Sequence, residues 1–589
     1  MALENDLIPV NTLGVQDEET GKWIPVDAVA LRSHTDRLTI EDILNEFETN
    51  HEKFSEIVTK NQKLSNSLDK LNSNLESISL NVVDYLVIGE TDASLFIQRA
   101  LDKAYDLGGA SVYIPKGNYH LKRELILKSN TCLYLSEQAV MEKHHSEEML
   151  TNFEKVKGST KLTGYNGYSN ITVTGGIWNA NGLEFKSGQG LVFAHAKNIT
   201  VKNMTIYDIC GGHAVELNGI DNGHIQKVRA FGYEGEDFRG AFQIDLDSDG
   251  TPPTLGNFGS FDGTPCKNIV IKECVVGSSE KMSSWGRGVE SHSSIIGRPH
   301  VNIKVLNNDF YSTKNAAIRA YAWDNVIIKN NRVFGCGSGI VVNPPLETKP
   351  QDTVDSNGKQ TNRSQDQYEV IIDSNLIDGT TMSDGLLGGI SVWGQSTGTL
   401  IDVKVVNNTI KNTFSSSNGI YAQFLSRSII EGNIIVNAGQ NGISVTGSRY
   451  LKLTNNHIEK CSITGIYIGD GNSKNTTTPE TSAYVDVRGN TVNKAGGHGI
   501  HFTDSSKNNQ VKNNTIIDAG QSENNRFNGI YISTNSNNIT IQNNDIYSAN
   551  KRLIAGIYIT GTTSNILEKD NFIPDNNYFE SKIVNELIK

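Results

Sequence analysis

Carboxylates, an imidazole and a guanidinium recur at matching places in a run of short segments. These are HAVELN (213–218), GAFQIDLD (240–247), GVESHS (288–293) and AIRAYAW (317–323), followed by GIVVN (339–343) and GISVWG (389–394). Aligned on their Gly/Ala–apolar start, they place one apolar residue each on an inner face: Val215, Phe242, Val289, Ile318, Ile340 and Ile390. In a strand the next side chain points the opposite way. The first outward column then reads Glu216, Gln243, Glu290, Arg319, Val341 and Ser391. The second reads Asn218, Asp245, His292, Tyr321, Asn343 and Trp393, with Asp247 and Trp323 opening a third. The same positions nearer the C-terminus, Tyr421, Ser444, Tyr467, His501, Tyr531 and Tyr558, carry no acid. A merely solvated face would spread its charge more evenly.

Such a cluster suits acid–base chemistry on a glycan. Neighbouring strands lie about 4.8 Å apart and alternate residues about 6.6 Å, so Asp245 falls roughly 8 Å by Cα from both Glu216 and Glu290. An inverting glycosidase needs its carboxyl groups about 6.5–9.5 Å apart and a retaining one about 5–5.5 Å, so the spacing leans toward inversion. Stacked like charges raise one pKa, as a general acid requires. His292 would lie over Asp245, and Arg319 over Glu290, where its guanidinium could hold a uronate or phosphate through two hydrogen bonds. The catalytic candidates are therefore Asp245, Glu290, Glu216 and His292. The substrate-binding candidates are Arg319, Tyr321, Trp323, Gln243, Asp247, Trp285 and Trp393, the aromatic ones because flat rings suit sugars. The bland readings are that Asp245 caps a turn and His292 is a satisfied surface histidine. DLDSDG resembles the start of a calcium loop (Asp245, Asp247, Asp249, Gly250), but the twelfth position is Gly256 rather than Glu, so the pattern fails. No metal or cofactor is assigned.

Residues 165–575 carry a repeat that would position these groups. An Asn-rich turn recurs at Asn308, Asn331, Asn408, Asn433, Asn456, Asn490, Asn514 and Asn544. A Gly-Ile strand start recurs at Gly339, Gly389, Gly419, Gly442, Gly465, Gly499, Gly529 and Gly556. The usual spacing, about 22–25 residues of alternating short strands such as NITVKNMTIYD, fits one coil of a parallel β-helix with three strands per coil. Identical Asn side chains can then stack as ladders. Upstream, a helix pattern from Ser94 to Tyr105 ends at Gly108-Gly109 and would cover the open end of the stack.

Residues 40–79 place Phe54, Asn61, Leu68 and Leu75 at one seam and Ile57, Leu64, Leu71 and Ile78 three residues later, the 3-4 spacing of a coiled coil. Three strands are favoured, although spacing does not exclude two. The expected organisation is an anchoring segment at 1–39, a coiled-coil stalk at 40–83, a capping helix and first coils at 84–164, the β-helix at 165–575 and a tail at 576–589 ending in a helix-like KIVNELIK. Composition agrees. Gly is abundant (55) and Pro scarce (12), which suits many tight turns. The net charge of −12 argues against nucleic acid. Six scattered cysteines without a CxxC argue against a disulfide framework or zinc site. The opening MALENDLIPVNTLG has no apolar signal core, and no run reaches the roughly 18 apolar residues a membrane span needs. The expectation is a protein made in a cytoplasm and not inserted in a membrane.

The segment TDASLFIQRALDKAYDLGGASVYIPKGNYHL is similar to the cap that opens pectin-lyase-like phage spikes and related carbohydrate-active β-helices, and the resemblance runs from 84 to about 575. It implies a right-handed parallel β-helix. The string HAVEL…AFQIDL…DGTPCKN…GRGVESHS…AIRAYAW also resembles a signature of pectin-lyase-like appendages of short-tailed phages of Gram-positive bacteria and their bacterial relatives. In that family this surface is assigned to polysaccharide or teichoic-acid degradation, which by position implicates Glu216, Asp245, Glu290, His292 and, less directly, Arg319. The calcium-and-arginine arrangement of pectate lyases and the Asp pairs of polygalacturonases are not recognisable, so hydrolysis, elimination and phosphodiester cleavage all stay open. With the anchor and stalk, the resemblance implies a homotrimeric tail spike of a virion, docked through its N-terminal segment and acting on a glycopolymer of the host surface. The alternative is a spike that binds in the same groove without cutting.

Overall fold

The computed structural model describes residues 79–574, apart from 155–161, 247–261, 383–387, 472–480, 504, 534, 550 and 561–562, together with 14–16, 23–25, 60 and 582–583. The chain divides into two units, Met1–Ile78 and Ser79–Lys589. In the first, Gly14–Gln16 and Trp23–Pro25 pair antiparallel. The coiled-coil seam expected from Phe54 to Ile78 lies outside the described residues. In the second unit, Ser79–Asn81 already pairs with Ser111–Tyr113, so the sheet stack starts inside the stretch assigned to the stalk.

The second unit is a parallel β-helix. Leu191–Cys210 runs alongside Val215–Glu234 almost residue for residue, from Leu191↔Val215 to Cys210↔Glu234, and defines one coil step of 24 residues. Further on, a coil consists of Ala316–Tyr321, Trp323–Lys329 and Arg332–Phe334, and each strand pairs in parallel with its counterpart on the next coil. The interior is a set of stacked columns. One of them runs Ile318, Ile340, Ile390, Ile420, Ile443, Ile466, Ile500, Ile530 and Ile557, every member fully buried. Each buried isoleucine contributes about 1.5–3 kcal/mol of apolar transfer.

The Gly-Ile signal has a packing cause. A Cβ on Gly442 would lie 2.4 Å from Ile458 Cγ2 and 2.7 Å from the Gly465 carbonyl oxygen, and one on Gly465 would meet Val492 and the Gly499 carbonyl at 2.4 and 2.5 Å. The glycine occupies a second inward position at the coil corner, where only hydrogen fits. The Asn turns form a buried ladder. The Asn408 Nδ2 donates to Asn433 Oδ1 at 3.0 Å, and the same step repeats from Asn308 through Asn331, Asn375, Asn408, Asn433, Asn456, Asn490, Asn514 and Asn544 to Asn571.

The cap is the helix Ala93–Asp106. Asp92 accepts from the Ser94 N–H at 3.0 Å as its N-cap, and Phe96, Ile97, Ala100, Leu101 and Ala104 bury its inner face. At the other end, Lys582–Ile583 pairs with Tyr558 and Ile559 as a strand, not as the start of the helix read from KIVNELIK: register with a preceding strand outweighs a short helical pattern. None of the six cysteines is in a disulfide, and Cys210, Cys266, Cys274, Cys336 and Cys461 are buried. Among the described residues no helix is long and apolar enough to cross a membrane.

Candidate active-site cleft

The columns stack in the register read from sequence. Glu216 pairs with Gln243 and Asn218 with Asp245, then Gln243 with Glu290, Glu290 with Arg319, and Arg319 with Val341. They open into a cleft of about 650 Å³ lined by Glu216, Gln243, Asp245, His292 and Arg319 among others. Residues from the coil corners and from the segment after Asn343 complete it: Gln189, Phe238, Arg239, Arg287, Lys349 and Asp352. Alternation along strands gave no signal for these. Arg287 was hidden by a break in parity, because a Cβ on Gly288 would meet Phe310 at 2.2 Å, so Gly288 faces inward immediately before the inward Val289.

At the centre, His292 Nε2 lies 3.3 Å from Asp245 Oδ2. The Gln243 amide donates to the same oxygen at 2.6 Å, and the Leu246 N–H donates to Oδ1 at 2.9 Å. Burial pushes the Asp245 carboxyl up, and the Glu216 charge adds to this while His292 counters it. His292 is raised: burial opposes its charge, but Asp245 and Glu290 outweigh burial. Glu216 accepts from the Asn218 amide at 2.8 Å, and burial pushes its pKa up. Behind this group His213 is fully buried; its Nδ1–H donates to the Gly240 carbonyl at 2.7 Å, and desolvation lowers it to about 4. The cleft thus holds two carboxyls raised by burial and an imidazole raised by its carboxylate neighbours.

Glu290 occupies a different position from the one its column suggests. Its side chain is 0% exposed and does not line the cleft. The Gly240 N–H donates to Oε1 at 2.7 Å and Arg287 Nη1 to Oε2 at 2.5 Å. Burial alone would raise its pKa, but His292 and Arg287 hold it far below the usual carboxylate range. Glu290 is a fixed anion beneath the cleft that holds Arg287 and His292, not a group that exchanges protons with a substrate.

The aromatic expectations are corrected in part. Trp285 is fully buried, stacked on Tyr233 at 4.7 Å, with its indole N–H donating to the Ala230 carbonyl at 3.2 Å. Trp323 is also in the core, because Ala322 takes a positive φ of 56° that turns the chain and reverses the alternation; its N–H donates to Ser291 Oγ at 2.7 Å. Tyr321 keeps its outward register but is covered: its hydroxyl donates to Asp352 Oδ2 at 2.5 Å and accepts from the Leu346 N–H at 3.0 Å. Its ring carries the Arg319 guanidinium at 4.3 Å. Burial, with Arg287 nearby, lowers Arg319 to about 10. Trp393 is half-buried and outside the cleft lining, and Asp247 lies outside the described residues. None of these indoles presents a face to the cleft.

The family described as "Right handed beta helix region" matches residues 353–573, a stretch that follows the cleft strands in the chain. A curated relative, the plasmin and fibronectin-binding protein A of Streptococcus pneumoniae (strain ATCC BAA-255 / R6), is 29% identical over 288 residues, which is 44% of this chain and 39% of that protein. The match therefore spans well under half of the relative's length. Among solved structures, the surface adhesin PfbA of S. pneumoniae aligns at 20% identity and a TM-score of 0.47, over 75% of this chain and 91% of that one. The tailspike protein of E. coli bacteriophage HK620, solved with a pentasaccharide, aligns at 11% identity and a TM-score of 0.46, over 91% and 84%.

Proposed function

We propose that this protein binds and cleaves an anionic glycopolymer of a bacterial surface in the cleft between Glu216 and Arg319. The observation that carries this reading is the convergence of Glu216, Asp245 and His292 in one cleft whose walls also bear Arg239, Arg287, Arg319 and Lys349. Glu216, partnered by an amide and raised by burial, is suited to deliver a proton to a leaving oxygen. Asp245, held by His292 and Gln243, is suited to act as the base. The cations suit uronate or phosphate groups along the chain. Teichoic acid, capsule and exopolysaccharide are the polymers to test for such groups.

In this reading the protein is a phage tail spike or appendage: a homotrimer assembled through residues 40–78, docked to the virion through residues 1–39 and acting at the host surface. Incubation with isolated wall teichoic acid, capsule or exopolysaccharide should shorten one of them, followed by size-exclusion chromatography. The Glu216→Gln, Asp245→Asn variant should leave it intact. Cleavage by that variant would refute the assignment of the chemistry to these residues.

A second reading is a binder that does not cut. It is favoured by the 29% identity to a protein named for binding plasmin and fibronectin. It predicts retention of polymer, or of plasmin or fibronectin, without any change in polymer size.

A further inference from the structure

We propose that His120, Glu142 and His144 form a binding site for one divalent transition-metal ion of the zinc class on the outer face of the first coils. His120, on Gly117–Leu121, and Glu142, on Ala139–Lys143, are register partners on neighbouring coils. Their strand neighbours Tyr119, Leu121 and Met141 are buried, so alternation sends both side chains outward. His144 follows the second strand, and its backbone N–H donates to the Leu121 carbonyl at 2.7 Å, which brings its ring back beside Glu142.

The geometry is that of a ligand set more than of a hydrogen-bonded cluster. Glu142 Oε2 lies 3.3 Å from His120 Nε2 and 3.4 Å from His144 Nε2. The three donor atoms fall within 4.8 Å of one another. Both N···O separations exceed the usual range of about 2.7–3.2 Å for an N–H···O bond. The His144 Nε2 is buried and has no hydrogen-bond partner. A tetrahedral zinc ion with bonds of about 2.0–2.1 Å holds its donors about 3.3–3.4 Å apart, which matches the two edges to Glu142. Two imidazoles and one carboxylate are a recurrent zinc donor set that leaves a fourth position for water. The Phe185 ring, 5.7 Å from the His144 ring and edge-on to it, fixes one side of the site. None of the three residues lines the cleft. A bound ion would tie two coils together next to the capping helix and would stabilise the folded chain by mass action.

The metal-free alternative is a pair of histidine–carboxylate ion pairs, and the two differ in the sign of their pH dependence. Ion pairs need protonated rings, whereas a metal needs neutral ones. The full-length protein, stripped with a chelator, is to be titrated with Co²⁺ near neutral pH and followed by visible d–d absorption, by Zn²⁺ competition and by melting temperature. One equivalent per chain should bind in tetrahedral form, raise the melting temperature and be displaced by Zn²⁺, and acidification should release it. His120→Ala and His144→Ala should each weaken Co²⁺ binding more than about tenfold. Absence of the absorption band, binding that survives the double variant, or a cluster that stabilises the fold only in acid would overturn the proposal.

Discussion

His292 Nε2 and Asp245 Oδ2 lie 3.3 Å apart across one coil step, in the register that pairs Gln243 with Glu290. The neighbouring coil thus supplies the countercharge that a buried carboxylate otherwise lacks. Asp245→Asn keeps the side chain's shape and its capacity to accept from Leu246, but removes the base. Cleavage of the substrate polymer should fall by about 10²–10⁴-fold, the usual contribution of a general base, with only a small loss of melting temperature, because His292 can release its proton when its partner is neutral. Rates from polymer size against time, beside a thermal melt, check both halves of this expectation.

Glu290 should behave in the opposite manner. Its carboxylate is enclosed by the Gly240 N–H and the Arg287 guanidinium, so removing the charge leaves a buried cation without its partner. Glu290→Gln should destabilise the fold by about 3–5 kcal/mol and lose activity as a consequence. Gly240→Ala tests the same contact from the other side, because its Cβ would stand 2.6 Å from Glu290 Cγ. Thermal melts of both variants should show losses larger than that of Asp245→Asn, because Arg287 cannot shed its charge.

Much of this arrangement was legible in the sequence. The pairing of Val215, Phe242, Val289, Ile318, Ile340 and Ile390 follows from the Gly/Ala–apolar start, because a β-helix repeats its inward positions coil after coil. Alternation failed wherever the chain turns a corner. The positive φ at Ala322 carried Trp323 inward, and the double inward step at Gly288-Val289 concealed Arg287. Lys349 and Asp352 come from the segment after Asn343, whose return over Tyr321 has no periodicity to reveal it. Asn375 belongs to the buried ladder although Ser374 precedes it where most rungs follow Asn or Gly, since the ladder requires only the side-chain amide.

That ladder makes a stability prediction. Asn408 Oδ1 accepts from both the backbone N–H and the amide of Asn375, at 2.9 and 3.0 Å, while its own amide donates to the Ile372 carbonyl at 2.9 Å. Asn408→Ala would leave these buried groups unpaired, at a cost of about 2–5 kcal/mol. The equivalent substitution at exposed Asn118, whose backbone is an ordinary strand, should cost little. Chemical denaturation of the two variants decides between a structural ladder and an incidental one.

Acid should unfold this protein through its buried neutral histidines as well as its carboxylates. The Cys266 N–H donates to His300 Nδ1 at 3.0 Å, so that nitrogen must stay unprotonated, and burial lowers His300 to about 3. His213, also fully buried, is lowered to about 4. A histidine depressed in the fold takes up its proton more readily when unfolded. The stability it confers is therefore complete above its ordinary value of 6.5 and declines as pH falls toward 4 for His213 and toward 3 for His300. Together the two should cost several kcal/mol across that window, an order of magnitude set by about 1.4 kcal/mol per unit. Melting temperature measured against pH should fall steeply below 6.5, and His300→Asn, which keeps an acceptor for Cys266 but does not titrate, should flatten the curve. An unchanged curve in that variant would move the acid sensitivity elsewhere in the core.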